Sequence, residues 1–129
     1  MWKGDYINLG AGAEVGFYTH DGGLGEGIGF WNTVPNDDAP DMSLALSGPS
    51  GQIVSFDPAA PQAWVGAFNS NVQDPVASDL SVDYTITFPN GGMYDAFQNR
   101  PRGSDDRWSY DPGSRTATLR FRRNKGRRR

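Results

Sequence analysis

The stretch DLSVDYTITF, residues 79–88, decides the fold class of this chain. Its side chains alternate strictly between apolar and polar, which is the pattern of a strand with one face in a core and the other in solvent. We therefore predict a half-buried β-strand here. The apolar positions are Leu80, Val82, Tyr84, Ile86 and Phe88, and the polar positions between them are Ser81, Asp83, Thr85 and Thr87.

A hairpin is predicted on the N-terminal side of this strand. The run DMSLALS, residues 41–47, places Met42, Leu44 and Leu46 on one face. It is followed by GPSG, residues 48–51, and then by the apolar run QIVSF. A short segment of turn residues between two strand-like runs is typical of a β-hairpin.

A second hairpin is predicted on the C-terminal side, in RWSYDPGSRTATLRF, residues 107–121. Asp-Pro-Gly, residues 111–113, favours a turn because proline fixes φ and glycine tolerates a positive φ. The alternation on both sides predicts which side chains share a face. Trp108 and Tyr110 are expected to face Ala117, Leu119 and Phe121.

The remaining segments complete an all-β architecture. INLGAGAEVGFY, residues 7–18, and AWVGAF, residues 63–68, are strand candidates interrupted by glycines. Residues 19–29 and 32–40 are the longest segments predicted to be irregular. GGMYDAFQN, residues 91–99, contains the only apolar spacing typical of a helix. We predict an antiparallel β-sandwich or partly open barrel with one short helix near residues 92–98.

Length and composition are those of one globular domain. The 129 residues suffice for a single core, and the chain contains seven Phe, five Tyr and four Trp to fill it. There is no cysteine, which excludes disulfides, thiolate metal sites and cysteine nucleophiles. No apolar run approaches the length of a membrane span, and the N-terminus lacks the pattern of a signal peptide. The compartment is not fixed by these features, and secretion as part of a longer protein stays open.

Charge divides the chain into an acidic body and a basic tail. Residues 1–114 hold all 15 acidic residues and four basic ones, a net charge of −11, and the last fifteen residues hold the other eight basic groups. We predict a single domain over residues 1–121 and a flexible Arg-rich tail over residues 122–129. Nucleic acid, an anionic membrane surface and the acidic body of a neighbouring molecule are candidate partners, and a solvated or processed terminus is the alternative. The candidate binding residues are Arg122, Arg123, Lys125, Arg127, Arg128 and Arg129.

Candidate catalytic residues cluster near the N-terminus. His20, the only histidine, lies close in sequence to Glu14 and Glu26, and Lys3 is an isolated cation in the acidic body. Such residues can perform general acid–base chemistry, although no Gly-x-Ser-x-Gly nucleophile motif is present. The structural alternative is that Lys3 and Glu14 form an ion pair and that His20 is a loop residue.

Three residues are candidates for binding a ligand. Trp31, Tyr18 and His20 are the candidates for ligand binding, while Trp64 and Trp108 are predicted to be core residues because they lie in strand-like runs. The glycine run at residues 22–29 lacks the spacing of a phosphate-binding loop, and we predict no cofactor. Candidates for a metal site are Asp37, Asp38 and Asp41, with solvated acidic loops as the favoured interpretation.

An ordered series of motifs resembles a known family. It runs through WKGDY, GAEVGFY, MSLALSGPSG, QAWVGAF, SDLSVDYTITF and GMYDAF, over residues 2 to about 98, with a looser match to residue 122. The series resembles the bacterial domain of unknown function numbered 4474. The resemblance implies a bacterial origin but no activity. It also implies strand residues preceding WKGDY, so that an edge strand is missing or the start is internal to a longer product.

Three classes of function are compatible with these features. The favoured one is a non-catalytic β-sandwich module that recognises a ligand or a protein partner, or that self-associates. The second is a small effector or toxin enzyme with a site around His20, Glu14 and Lys3. The third is a nucleic-acid-associated protein that binds through the tail.

Overall fold

The computed structural model describes residues 2–10, 13–22, 25–34, 43–48, 51, 53–60, 64–69, 81–100 and 108–122. Within these ranges the chain forms nine strands and one helix. The elements are β1 (Trp2–Gly10), β2 (Ala13–Gly22), β3 (Gly25–Val34), β4 (Leu44–Ser47), β5 (Ile53–Phe56), β6 (Trp64–Asn69), β7 (Ser81–Thr87), α1 (Gly91–Gln98), β8 (Trp108–Asp111) and β9 (Thr116–Arg122).

The strands form two antiparallel sheets. Sheet A has the order β1-β2-β3-β6, and sheet B has the order β5-β4-β7-β9-β8. Every strand pair in both sheets is antiparallel. The predicted all-β sandwich with one short helix is therefore confirmed.

The alternating stretch that predicted a strand forms β7 at the centre of sheet B. Val82, Tyr84 and Ile86 are buried, and the polar residues between them are not. Leu80 lies outside the described residues. Because β7 pairs with β4 on one side and β9 on the other, its buried side chains lie at the middle of the core-facing side of this sheet.

Both predicted hairpins are present. In the first, β4 pairs with β5, and the Gly51 N–H donates to the Gly48 carbonyl over 3.0 Å while Gly51 takes a φ of 80°. In the second, Trp108 lies opposite Leu119 and Tyr110 opposite Ala117, as the alternation predicted.

The turn of the second hairpin differs from the prediction in one respect. The positive φ falls on Arg115, at 56°, and not on the glycine of the Asp-Pro-Gly motif. The Asp111 carboxylate accepts hydrogen bonds from the Gly113 N–H and the Ser114 hydroxyl, over 3.0 and 2.8 Å. These bonds fix the first part of the turn, so the chain completes its reversal at the last loop residue before β9.

Two predictions for the N-terminal third were wrong. The segment 7–18 is not one interrupted strand, because β1 and β2 pair as a hairpin within it, with an irregularity between Asn8 and Gly10. The segment 19–29 is not a long loop, because β2 and β3 pair as far as Gly22 and Gly25. The alternation was hidden here because glycines occupy the outward positions between the apolar residues.

The core lies between the two sheets and is rich in aromatic rings. Phe30 of sheet A stacks on Phe56 of sheet B, with ring centroids 5.6 Å apart. Phe17 contacts Phe97 of the helix at 5.0 Å. The buried apolar side chains of sheet A are Ile7, Val15, Phe17, Ile28, Phe30 and Ala67, and those of sheet B are Leu44, Leu46, Phe56, Val82, Tyr84, Ile86, Ala117, Leu119 and Phe121.

Helix α1 contributes its own apolar face to this core. Met93, Tyr94 and Phe97 are buried, in agreement with the predicted helical spacing. The Asn90 side chain accepts a hydrogen bond from the Met93 N–H over 2.8 Å and so caps the first turn. Within the described ranges, no helix has the length and apolar character needed to span a membrane.

Arg100 fixes the C-terminal end of the helix. Its guanidinium is buried among three rings, 4.1 Å from the centroid of Phe97, 4.8 Å from Trp108 and 5.5 Å from Phe17. One terminal nitrogen donates to the Phe97 carbonyl over 2.9 Å and to the Tyr110 hydroxyl over 3.0 Å. This cation–π cage joins the helix to strands of both sheets.

Candidate functional site

Aromatic side chains converge on the outer face of sheet A, which points away from the core. Strand register places Tyr6, Gly16, Trp31 and Trp64 in one row across the four strands. The adjacent row contains Gly4, Tyr18, Gly29 and Gly66, and the next contains His20, Gly27 and Phe68. We call the five described rings, Tyr6, Tyr18, Trp31, Trp64 and Phe68, the aromatic face.

Three of these rings lie directly across glycines of neighbouring strands. A Cβ added to Gly16 would be 2.2 Å from ring atoms of Trp31. A Cβ on Gly27 would be 2.0 Å from the Phe68 ring. Such distances are far inside van der Waals contact, so the rings occupy space that any other residue would fill with its own side chain.

Tyr18 lies across glycines in the same way. A Cβ on Gly29 would be 2.4 Å from its hydroxyl oxygen, and one on Gly66 would be 3.2 Å away. Gly66 also lies under Phe68, at 3.0 Å. The glycines thus form a floor on which the rings lie along the sheet.

The rings contact one another as a continuous layer. Tyr18 lies between Trp31 and Trp64, with centroid distances of 5.8 and 6.1 Å. Tyr6 meets Trp31 edge-on at 6.0 Å. These separations are within the range at which aromatic pairs attract.

Solvent reaches much of this layer. Tyr6 and Trp64 are each 57 % exposed and Phe68 is 41 % exposed. Trp31 is half-buried, and Tyr18 lies deepest, at 8 % exposure. Burial raises the pKa of the Tyr18 phenol to about 12, so this hydroxyl is neutral at physiological pH.

A polar row borders the aromatic face at one end. Asn8 pairs with Glu14, and a register shift at Glu14 leaves Thr33 as an additional residue on β3. The Thr33 hydroxyl lies 2.9 Å from a Glu14 carboxylate oxygen and 2.8 Å from the Glu14 carbonyl. The bulge therefore holds the carboxylate beside the row that contains Trp31.

The candidate catalytic residues are spread along sheet A. Glu14 and His20 lie on the same face of β2, but they are six positions apart, which places them about 20 Å from each other along the strand. Lys3 pairs with Thr19, and Glu26 pairs with Asp21 and Asn69. Glu14 and His20 are therefore too far apart for a direct hydrogen bond.

The structural alternatives offered for these residues were wrong in two respects. His20 is not a loop residue, because it pairs with Trp2 and Gly27 within the sheet. Lys3 lies opposite Thr19 and Glu14 lies opposite Asn8, so Lys3 and Glu14 are five positions apart along the strand pair. The Glu14 carboxylate contacts the Thr33 hydroxyl instead.

The candidate ligand-binding residues Trp31, Tyr18 and His20 occupy one face, and the first two are in contact. The prediction that Trp64 is a core residue was wrong, because the ring lies on the outer face of an edge strand. Trp108 is partly buried against the core. Sequence analysis missed Tyr6, Trp64 and Phe68 as members of this surface.

A sequence signal for two of these residues, Tyr6 and Phe68, does exist. Each strand of sheet A contains a glycine followed two positions later by an aromatic residue, and residues two apart in a strand share a face. The four pairs are Gly4 and Tyr6, Gly16 and Tyr18, Gly29 and Trp31, and Gly66 and Phe68.

The other candidates lie mostly outside the described residues. Asp37, Asp38 and Asp41 do so, and no cluster of metal-ligating side chains is found in the part of the chain that is described. Arg122 ends β9 and pairs with Ser81. The tail residues Arg123, Lys125, Arg127, Arg128 and Arg129 also lie outside the described ranges.

Two packed antiparallel sheets, with the aromatic face on one of them, define a β-sandwich domain. The family described as Domain of unknown function (DUF4474) matches residues 1–121, and the chain belongs to this family. The predicted family resemblance is thereby confirmed. No curated protein and no solved structure matches the chain.

Proposed function

We propose that this domain is a non-catalytic recognition module that binds its ligand on the aromatic face. The observation that carries the proposal is the layer of five rings on the solvent side of sheet A, three of them more than two-fifths exposed. Exposing large apolar rings to water is unfavourable, and contiguous patches of this kind mark interaction sites.

The outer face of sheet B supports this interpretation by contrast. There Asp83 and Arg120 form an ion pair at 2.9 Å, and the Thr85 and Thr118 hydroxyls lie 3.1 Å apart. These are ordinary side chains for a solvent-facing sheet. Among the residues that the structure describes, the exposed aromatic rings therefore all lie on one face of the sandwich.

Recognition accounts for the site better than the effector or toxin enzyme does. The aromatic face offers stacking area, whereas Glu14 and His20 stand at opposite ends of it, about 20 Å apart along β2. General acid–base catalysis needs its groups within hydrogen-bonding reach of one reacting centre. Two groups so far apart do not meet that condition.

The test compares Trp64→Ala with Ile53→Ala. Both residues are exposed and apolar, at 57 % and 70 %, but Ile53 lies on the edge of sheet B. Binding is measured to three probes: soluble neutral polysaccharides, phosphatidylcholine vesicles, and a second copy of the protein by light scattering. We expect binding to one probe to fall at least tenfold in Trp64→Ala and to be unchanged in Ile53→Ala, with similar melting temperatures. Equal behaviour of both variants toward all probes would refute the proposal.

We also propose that the Arg-rich tail is a separate contact for an anionic partner, either nucleic acid or the acidic body of a second copy. Support comes from the charge segregation, with −11 in residues 1–114 and eight basic groups after them. The test is neutralisation of Arg127, Arg128 and Arg129 to Gln. Binding to a short DNA duplex should weaken at least tenfold between 50 and 200 mM salt, and the variant should show a smaller salt dependence. Light scattering of the same samples tests self-association.

A further inference from the structure

We infer that the ligand of the aromatic face is a neutral carbohydrate chain, with sugar rings stacked on the exposed aromatic rings and hydroxyl groups bonded to the row of Asn8, Glu14 and Thr33. This inference rests on the proposed recognition function and names the chemical class of its ligand. Four properties of the face support it: the orientation of its rings, its polar border, its size and the charge around it.

The rings present flat surfaces to solvent. Trp31 covers the position of a Gly16 side chain with three of its ring atoms, which lie 2.2, 2.2 and 2.6 Å from that position. Phe68 covers Gly27 in the same way, at 2.0, 2.4 and 2.8 Å. A ring that lies along the sheet has one π-face against the backbone and the other turned outward. Sugar rings have flat faces lined by C–H bonds, which match the negative potential of an aromatic face.

The polar border offers hydrogen-bonding groups for the hydroxyls of a sugar. Thr33 is the only described side chain that bonds the Glu14 carboxylate, and it contacts Oε1, which leaves Oε2 available to accept from a ligand hydroxyl. Hydrogen bonds from hydroxyls to a carboxylate are short and strong. Glu14 lies two residues from Gly16, about 7 Å along the strand, and Gly16 lies under Trp31. One sugar residue can therefore stack and bond at the same time.

The size of the face favours a small ligand. The four strands span about 14 Å from β1 to β6, and the five residues from Trp64 to Phe68 span about 13 Å. The area between the ring-bearing positions is therefore about 200 Å², far below the roughly 800 Å² that each partner contributes to a standard protein interface. Such an area matches a short stretch of glycan chain more closely than it matches a protein interface.

Charge favours a neutral ligand. Residues 1–114 carry a net charge of −11, and the polar border itself contains the Glu14 carboxylate. An acidic surface repels anionic lipid headgroups and anionic polysaccharides, because surface potentials extend over about 10 Å at 0.1 M salt. Neutral sugars carry no such penalty.

The test uses affinity electrophoresis of the full chain in gels containing laminarin, hydroxyethyl cellulose, glucomannan or, as the anionic comparison, polygalacturonate. We expect retardation by at least one neutral polymer and none by polygalacturonate. Trp64→Ala should weaken that binding at least tenfold, and Glu14→Gln about tenfold by loss of the charged acceptor. Ile53→Ala should bind like the unchanged protein. If Trp64→Ala melts early, Tyr6→Ala replaces it, since Tyr6 is equally exposed.

The outcomes separate the two proposals. If the neutral polymers are not bound but phosphatidylcholine vesicles or a second copy are, and Trp64→Ala abolishes that binding, the carbohydrate inference is overturned and the recognition function stands. If polygalacturonate is bound as tightly as the neutral polymers, the charge argument and the inference both fail. If neither Trp64→Ala nor Tyr6→Ala affects binding to any probe, both proposals are refuted.

Discussion

Replacing Gly16 with alanine tests whether the ring of Trp31 depends on the glycine beneath it. The new Cβ would lie 2.2 Å from two ring atoms of Trp31, whereas ordinary contact begins at 3.4 Å. The ring must therefore retreat by about 1.2 Å. Gly16 does not have a positive φ, so the backbone accepts alanine without strain. Trp31 is half-buried on an outer face and contacts Tyr6 and Tyr18, so moving its ring toward solvent disturbs those contacts.

The expected magnitude follows from two opposing contributions. Forcing an extra methyl group into a packed site destabilises a protein by about 1–3 kcal/mol, and overlap with three atoms of a half-buried ring places this case near the middle of that range. Replacing glycine within a strand recovers about 0.5–1 kcal/mol of backbone entropy. We expect a net loss of about 1 kcal/mol, which lowers the melting temperature by about 3–5 °C. Ligand binding should fall more steeply, because the tilted ring no longer offers a flat face.

The matched control is Gly91→Ala at the start of α1, where an added Cβ has nothing within 4 Å. This variant makes the same chemical change and should be neutral or stabilising. Thermal unfolding followed by far-ultraviolet circular dichroism gives the stabilities, and the near-ultraviolet spectrum reports on the tryptophan environment. If Gly16→Ala matches Gly91→Ala in both measurements and keeps ligand binding, Trp31 does not depend on Gly16 and the reasoning is refuted.

Three further predictions concern stability. Arg100→Ala should cost about 3 kcal/mol in urea unfolding, because it removes a desolvated cation–π cage and two charged hydrogen bonds, and a loss under 1 kcal/mol would contradict that role. Arg115→Gly should raise the unfolding free energy by about 1 kcal/mol, since its φ of 56° disfavours a side chain, and a decrease would mean that the contacts of the arginine outweigh the strain. Burial raises the pKa of Tyr18 from 10.0 to about 12, so folding favours its neutral form. The resulting stabilisation of the folded state is complete below pH 10 and is lost as pH rises toward 12. Tyr18→Phe should remove that part of the pH dependence, which parallel unfolding curves between pH 9 and 12 would reveal.

The strands of sheet B were predictable because their outward positions are polar. Asp83, Thr85 and Thr87 alternate with buried apolar residues, so the period of two is visible in the sequence. The hairpin of β8 and β9 was predictable for the same reason, together with its turn residues. The loop residue that takes the positive φ was not predictable from the sequence, because the hydrogen bonds of the Asp111 carboxylate determine it within the folded turn.

Sheet A was harder to predict because its outward positions are glycines and aromatic residues. In β3, Gly27 and Gly29 alternate with Ile28 and Phe30, and a glycine-rich run of this kind is typical of a loop. Trp64 was assigned to the core because a tryptophan in a strand-like run commonly packs inward. Which face of β6 it occupies depends on Val65 and Ala67 packing inward, and only the three-dimensional pairing shows that.

The glycines of sheet A are difficult to explain by stability alone. Glycine is disfavoured in strands because it loses backbone entropy and has no side chain to pack, yet outward positions of all four strands carry it. Threonine or valine would build a more stable solvent-facing sheet, as threonine does in sheet B. If the rings only shielded the backbone, polar β-branched residues would do so without exposing aromatic surface to water. The glycines that Trp31, Tyr18 and Phe68 cover on neighbouring strands are instead what allows these rings to lie flat on the sheet, and a flat exposed ring is useful for stacking against a ligand.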